Sequence, residues 1–369
     1  MTSFLLLLLL GGLAALGAAG SAGGSSGGTV VDPDPTADPT PDPASDPSTT
    51  PSGGGSGSGS MPVLADTAYD IGWAGLSEEE QLIVELINRA RLDPASEVNR
   101  LSEPLASGIS SSPVEALAVV KTLSDASDAH SQDMDDRNFF SHTDPDGGLP
   151  WDRAVDAGHE TTYVGENIGW IGSSSTNFDL QDRAEAHHSN LWHSDGHQAN
   201  LMSGNWDQVG LGYDYGDYRG YDGSTFVTEM FSNTGDAYLT GVVIEDADGD
   251  RFYDMGEGQG GVKITAWDGA NAYATATWAS GGYTLELPAG TYTVRFEGGD
   301  LDAPYETQVT IGGENVKLDV LDSGGSAAAS VTVSDTTGSD IIPLVSVVDV
   351  FPAGYDPTLE EEEPDLLFA

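Results

Sequence analysis

The chain has 369 residues, with 60 acidic and 12 basic side chains, a formal net charge of −48 and no cysteine. Its basic residues all lie between Arg89 and Lys317, so it lacks the clustered Lys and Arg that nucleic acid or an anionic membrane surface requires. The missing cysteine excludes disulfides, thiolate nucleophiles, Cys-based zinc sites and a lipid anchor on cysteine.

The length fits two folded units plus tails. Residues 1–21 open with MTSFLLLLLL and continue with small residues, which reads as a signal peptide for secretion rather than a membrane span. No later stretch is long and apolar enough to span a bilayer, so an integral membrane protein is not expected. Residues 22–76 hold DPDPTADPTPDPASDPSTTP and then GGGSGSGS, a linker whose first part is stiff and second part flexible.

A first globular unit is expected over 77–235. In LSEEEQLIVELINRARLDP, Ser77 and Glu80 form a capping box, Leu82, Ile83, Leu86 and Ile87 repeat at helical spacing, and Pro94 closes the helix. Further helices are expected through AHSQDMDDRNFF and LQDRAEAHHSNLWHS, followed by strands in QVGLGYDYG and STFVTEMFS. Helices first and Gly-punctuated strands later predict an α+β unit with an α-β-α sandwich. Within it His187 and His188 are placed on the solvent face and His130 in the core. Asp144 and Asp146 read as turn formers. His193 and His197 stand four apart, but Gly196 between them disfavours a continued helix.

Residues 236–321 change character. YLTGVVIED, GVKITAW, AYATATWA, YTLELP, TYTVRFEG and ETQVTIG alternate apolar with polar, predicting an all-β sandwich of five to seven strands that folds separately from the first unit. Between the first two runs lies DADGDRFYDMGE. Asp246, Asp248, Asp250, Asp254 and Glu257 fall at positions one, three, five, nine and twelve of a twelve-residue loop, with Phe252 offering its carbonyl at seven. That is the EF-hand schedule of hard oxygen donors, and it predicts bound Ca²⁺. Arg251 stands where glycine is usual, at a cost of about 1–2 kcal/mol if the turn is left-handed there. The bland reading is a solvated acidic loop. From 322 to 369 an acidic tail is expected, with IIPLVSVVDVF as one possible strand.

LINRARLDP, FFSHTDPDG, GENIG, HSDGHQANLM and VGLGY, in that order, resemble the bacterial branch of the CAP superfamily (cysteine-rich secretory proteins, antigen 5 and pathogenesis-related 1). The strand-flanked loop resembles the calcium-binding B-type repeats of Sdr surface proteins and related prealbumin-like modules. The first resemblance implies a cavity built on two histidines and two glutamates. His142, Glu166 and His197 transfer by motif, with Asn167 beside Glu166 in GEN. The second glutamate falls near Ser194, leaving Asp195, Glu185 or Glu229 as substitutes. Two neutral imidazoles suit Zn²⁺, with Mg²⁺ as a further possibility. The resemblance implies an extracellular protein binding a small-molecule, lipid or cell-surface ligand; the alternative is a metal-assisted hydrolase using His142, His197 and Glu166.

Overall fold

The computed structural model describes residues 73–322, 330–336 and 338–343. The signal peptide, the linker up to residue 72 and the tail beyond 343 lie outside the described residues.

Helix α1 (Glu78–Leu92) starts as its sequence predicts: the Ser77 hydroxyl accepts from Glu80 N at 3.2 Å and the Glu80 carboxylate accepts from Ser77 N at 2.8 Å. Pro94 ends α1 and also opens α2 (Pro94–Leu101), which Asp93 caps. Leu82, Ile83, Leu86 and Ile87 are fully buried, but so are Gln81, Glu85, Asn88 and Arg91. An amphipathic helix would leave that polar side wet; α1 is covered all round. The Arg91 guanidinium donates to the carbonyls of Glu115, Leu201, Ser203 and Trp206 at 2.8–3.1 Å, pinning the loop before β1 and the α6–β3 connection to the helix.

Next come β1 (Ala118–Val119), α3 (Lys121–Asp136), α4 (Pro150–Asp156), β2 (Val164–Ile171), α5 (Leu180–Trp192), α6 (Asp195–Leu201), β3 (Gln208–Tyr218) and β4 (Tyr221–Ser232). The strands form one sheet in the order β1-β3-β4-β2, leaving β2 at an edge. The VGLGY motif lies on β3 and its alternation explains the packing. Val209 and Leu211 join the core under α1 and α5, while Gly210 and Gly212 face α3. A Cβ on either would stand 2.1–2.2 Å from α3 backbone atoms. Two glycines therefore let α3 lie directly on the strand, where Ser127 and Ser131 donate to their carbonyls at 3.2 and 2.9 Å. Helices thus cover both faces of the sheet, an α+β arrangement.

The strand-rich region holds β5 (Tyr238–Glu245), β6 (Val262–Trp267), β7 (Ala272–Ala276), β8 (Gly282–Glu286), β9 (Gly290–Gly298), β10 (Tyr305–Ile311), β11 (Val316–Asp322), β12 (Ser330–Asp335) and β13 (Gly338–Pro343). They form two open sheets, β10-β9-β6-β7 and β13-β12-β11-β5-β8. Alternate residues such as Tyr292, Val294 and Phe296 on β9 and Val316, Leu318 and Val320 on β11 share one apolar cluster. The tail expected from residue 322 is corrected by β12 and β13, which extend the second sheet. The β12 sequence SVTVSD alternates apolar with polar, a pattern the overall acidity of the region obscures.

The helical and strand-rich parts share buried surface. Val242, Ile244, Tyr253, Trp278 and Leu321 belong to the same cluster as Leu82, Ile83 and Leu86. Trp278 donates to Gln81 at 3.0 Å, Asn315 donates to the carbonyls of Ala116 and Asp207 at 2.9 and 2.6 Å, and Lys317 pairs with Glu85 at 2.7 Å. These contacts cover the polar side of α1.

Candidate functional site: a histidine corner and an acidic loop

GENIG lies on edge strand β2. Consecutive residues of a strand point to opposite faces, so Glu166 and Asn167 serve two different groups. Glu166, facing α4, accepts from His142 Nδ1 at 2.8 Å through one oxygen and from Arg153 at 2.5 Å through the other. Arg153, on α4, also donates to the His142 carbonyl at 3.1 Å. Asn167, on the other face, donates to the His197 carbonyl at 3.3 Å and to Glu229 at 2.9 Å, and accepts from Asn200 at 2.9 Å. Asn200 also donates to the Glu166 carbonyl at 3.3 Å, holding α6 to the strand.

His142 and His197 therefore flank the same two residues of β2. Burial pushes the His197 imidazole below its ordinary pKa. The Glu166 carboxylate beside Nδ1 holds the His142 proton there, which leaves the Nε2 lone pair available on a side chain that is 50% exposed.

The three candidate acids separate clearly. Asp195 is exposed at the start of α6, and Glu185 is a partly exposed residue of α5. Glu229 is fully buried opposite Asn167 in the β2–β4 ladder, and burial pushes its carboxyl up to about 7. Glu229 Oε1 and His197 Nδ1 are both buried without a hydrogen-bond partner among the described residues. Arg153 was not found from sequence: nothing in PWDRA marks it, because its partners lie eleven and thirteen residues away.

The other histidines are structural. His187 and His188, expected on the solvent face, are buried, because α5 packs on α1 with one side and on β2 with another. His187 bonds the Thr225 hydroxyl and His188 bonds Glu97, each at 2.8 Å. His130 is buried and bonds the Ser141 carbonyl at 3.1 Å. His193 sits in the break between α5 and α6, bonded to the Ser189 carbonyl, so it does not share a helix with His197. Asp144 accepts from Asp146 N and Gly148 N, a turn as expected.

In the acidic loop, Asp246, Asp248 and Asp250 each bring one carboxylate oxygen within 4.8 Å of the others, as do Asp248, Asp254 and Glu257. Their hydrogen-bond partners are mostly backbone N–H groups. Asp246 takes Gly249 and Arg251, Asp248 takes Asp250, Asp250 takes Phe252, and Glu257 takes Ala247 and Asp254. Arg251 is left-handed, with φ +69°, the conformation that glycine adopts without strain. Burial first, and then the neighbouring carboxylates, push Asp254 and Glu257 above the ordinary range. The loop also touches the helices: Gln181 on α5 donates to Asp254 at 2.5 Å, and the Arg89 guanidinium lies 4.0 Å from the Phe252 ring centre.

Residues 84–231 match the CAP family, the cysteine-rich secretory protein family, and this part of the chain is a CAP domain. The chain is 32% identical over 100 residues to the protein YkwD of Bacillus subtilis (strain 168), covering 27% of this chain and 35% of that one. Among solved structures it is similar to an extracellular protein containing an SCP domain from Bacillus anthracis, with 26% identity, a TM-score of 0.30 and coverage of 42% of this chain and 40% of that one. It is also similar to an outer surface protein of Borrelia burgdorferi, at 14% identity, a TM-score of 0.28 and coverage of 42% and 91%. The chain thus spans little more than a third of the length of the first two relatives. Among the described residues no helix is long and apolar enough to cross a membrane.

Proposed function

We propose that this is a secreted protein whose CAP domain binds a small-molecule, lipid or cell-surface ligand at the corner formed by His142 and His197, with Zn²⁺ held between the two imidazoles. The observation that carries this reading is the 2.8 Å bond from His142 Nδ1 to a Glu166 carboxylate that Arg153 also holds. A carboxylate on one ring nitrogen is the usual support for a metal-binding histidine, fixing the ring and raising the basicity of the other nitrogen. The donor chemistry fits Zn²⁺ better than Mg²⁺, which prefers oxygen and water. A bound zinc would supply an open Lewis-acid position for a carboxylate, phosphate or polar headgroup. Glu166 orients His142, and Asn167 sets the position of α6 and so of His197. Both Glu166 oxygens are engaged, which weighs against the hydrolytic alternative in which this carboxylate is the general base.

In the same reading the strand-rich region is a sandwich of the Sdr B-type kind. Asp246, Asp248, Asp250, Asp254, Glu257 and the Phe252 carbonyl hold structural Ca²⁺. The support is a set of hard oxygen donors at EF-hand spacing, two trios of which bring carboxylate oxygens within 4.8 Å of one another. Metal analysis after dialysis against excess Zn²⁺, with Ca²⁺ present to fill the loop, tests the corner. About one zinc per chain is expected, and none in the His142→Ala, His197→Ala double variant. Tight zinc retained by the double variant would move the site elsewhere.

A further inference from the structure

Beside the histidine corner lies a surface that the reading above does not use. Among the described residues the large hydrophobic side chains left exposed are six, and four of them fall between 140 and 163: Phe140 at 36%, Trp151 at 43%, Val155 at 46% and Tyr163 at 54%. Scattered singly such residues mean nothing, but Trp151 and Val155 stand one turn apart on a single helix. Hydrogen bonds tie these segments to the rest of the fold, but Tyr163 turns to the face opposite α4, its ring centre 5.0 Å from that of Trp206. Arg153 ties α4 to the His142 carbonyl, two residues after Phe140. His159, just beyond α4, and the Tyr163 carbonyl both bond the Ser232 hydroxyl, at 2.8 and 3.0 Å.

Helix α4 itself is two-sided. Ala154 is buried against Leu123, Ala126 and Met230, and Arg153 points inward to Glu166. Trp151 and Val155, one turn apart, stand outward with Asp152 and Asp156 beside them; Trp151, Asp152, Val155 and Asp156 are exposed or nearly so. Residues 140–163 carry five acidic side chains against the single cation Arg153, and that cation is bound to Glu166. Exposed Asp156 and Glu160 make no salt bridge among the described residues.

We propose that the outward face of α4, centred on Trp151 and Val155, docks a basic and apolar stretch of a partner polypeptide. Aromatic and aliphatic side chains supply the desolvated centre of such an interface, and the acids set the sign of the partner. Lysine or arginine fits this face twice over, pairing with Asp156 and Glu160 and lying on the Trp151 ring. An anionic bilayer is repelled by the net charge of −48, and a neutral membrane or glycan leaves the acids without partners.

The test uses the full chain in calcium-containing buffer, a fluorescein-labelled Lys/Leu peptide, its Glu/Leu counterpart and phosphatidylcholine vesicles. Saturable binding of the Lys/Leu peptide alone is expected. The uncharged Trp151→Ser, Val155→Ser double variant should weaken it roughly tenfold or more, as loss of a central anchor does. Asp156→Asn with Glu160→Gln should weaken it severalfold in low salt and little in high salt. Zinc retention should be unchanged in both, which separates this surface from the histidine corner. If removing Trp151 and Val155 leaves peptide binding intact, the peptide is only condensing on an acidic molecule and the proposal falls. Equal binding of the Glu/Leu peptide, or vesicle binding that depends on Trp151, overturns it as well. Should the double variant fold poorly, Val155→Lys replaces it: a like charge facing the peptide should weaken binding, and undiminished binding overturns the proposal.

Discussion

The histidine corner and the acidic loop solve the same electrostatic problem in opposite ways. At the corner Glu166 is nearly buried, yet both its oxygens meet donors from other elements: Arg153 from α4 and His142 from the loop before it. In the loop, five carboxylates within twelve residues take many of their hydrogen bonds from the loop's own backbone, and Asp254 also accepts from Gln181. Backbone N–H groups orient carboxylates but carry no unit charge to offset them. The corner carboxylate therefore has a charged partner within the fold, whereas the loop's carboxylates lie close to one another. Burial and mutual repulsion already push Asp254 and Glu257 upward.

The contrast is broken most severely by cutting the link between the two parts. Lys317 is almost fully buried between Glu85 on α1 and Asp319 on β11. Burial alone would lower its pKa, but Asp319 and Glu85 hold it above the ordinary lysine value. Lys317→Ala leaves the buried Glu85 carboxylate unpaired beside the partly buried Asp319 and should cost about 3–5 kcal/mol. Calorimetry should show a single transition in the wild type that falls sharply or divides in the variant. An unchanged melting curve would mean that the helical and strand-rich parts do not depend on this contact.

The next effect is that of calcium. If only the folded loop binds the ion, calcium at a hundredfold above Kd stabilises by about 2.7 kcal/mol. Because the loop rests on α1 and α5 through Arg89 and Gln181, melting of the CAP helices should shift together with the strands when EDTA is added. Asp248→Ala or Glu257→Ala should remove most of that shift. A melting temperature indifferent to chelator and mutation leaves a solvated acidic loop and ends the contrast.

At the corner, Glu166→Gln keeps the shape but removes the charge that supports His142. Zinc affinity should fall by about ten- to a hundredfold, the usual loss when such a support is altered, as measured by competition with a chelating dye. Affinity equal to the wild type would show that His142 needs no orienting partner.

The smallest effect concerns Glu229. Its folded pKa, about 7, lies above the ordinary 4.5 because of burial. A carboxyl raised in this way contributes stability that is complete below pH 4.5 and is lost as pH climbs through 7. Glu229→Gln, which still accepts from Asn167, removes that dependence and should stabilise by ~1–2 kcal/mol at pH 8 relative to its effect at pH 5. Thermal melts of both proteins at the two pH values decide it. A wild type that gains stability relative to the variant between the lower and the higher pH would mean that the ionised form has a partner here.

The clustering of the acidic loop was readable because its carboxylates lie within twelve consecutive residues, so spacing alone brings them together. Arg251 was recognised as the irregular position for the same local reason, and its left-handed φ follows from it. The capping box at Ser77, the helix stop at Pro94 and the glycine alternation of VGLGY are local too, each a matter of atoms a few bonds or one turn apart. Sequence by itself determined these elements, the candidates His142, Glu166 and His197, and the change of character near residue 236. Tertiary structure alone decided that Glu166 and Asn167 face opposite ways on an edge strand, that Arg153 completes the His142 pair, and that Glu229 is the acid beside Asn167. It also decided that His187 and His188 are buried, and that the polar side of α1 is covered by Trp278 and Lys317, both far along the chain from Gln81 and Glu85. Such contacts leave no periodic trace in the chain: a buried charge is stabilised by whichever partner the fold brings within hydrogen-bond distance, and that distance is set by packing rather than by spacing in sequence.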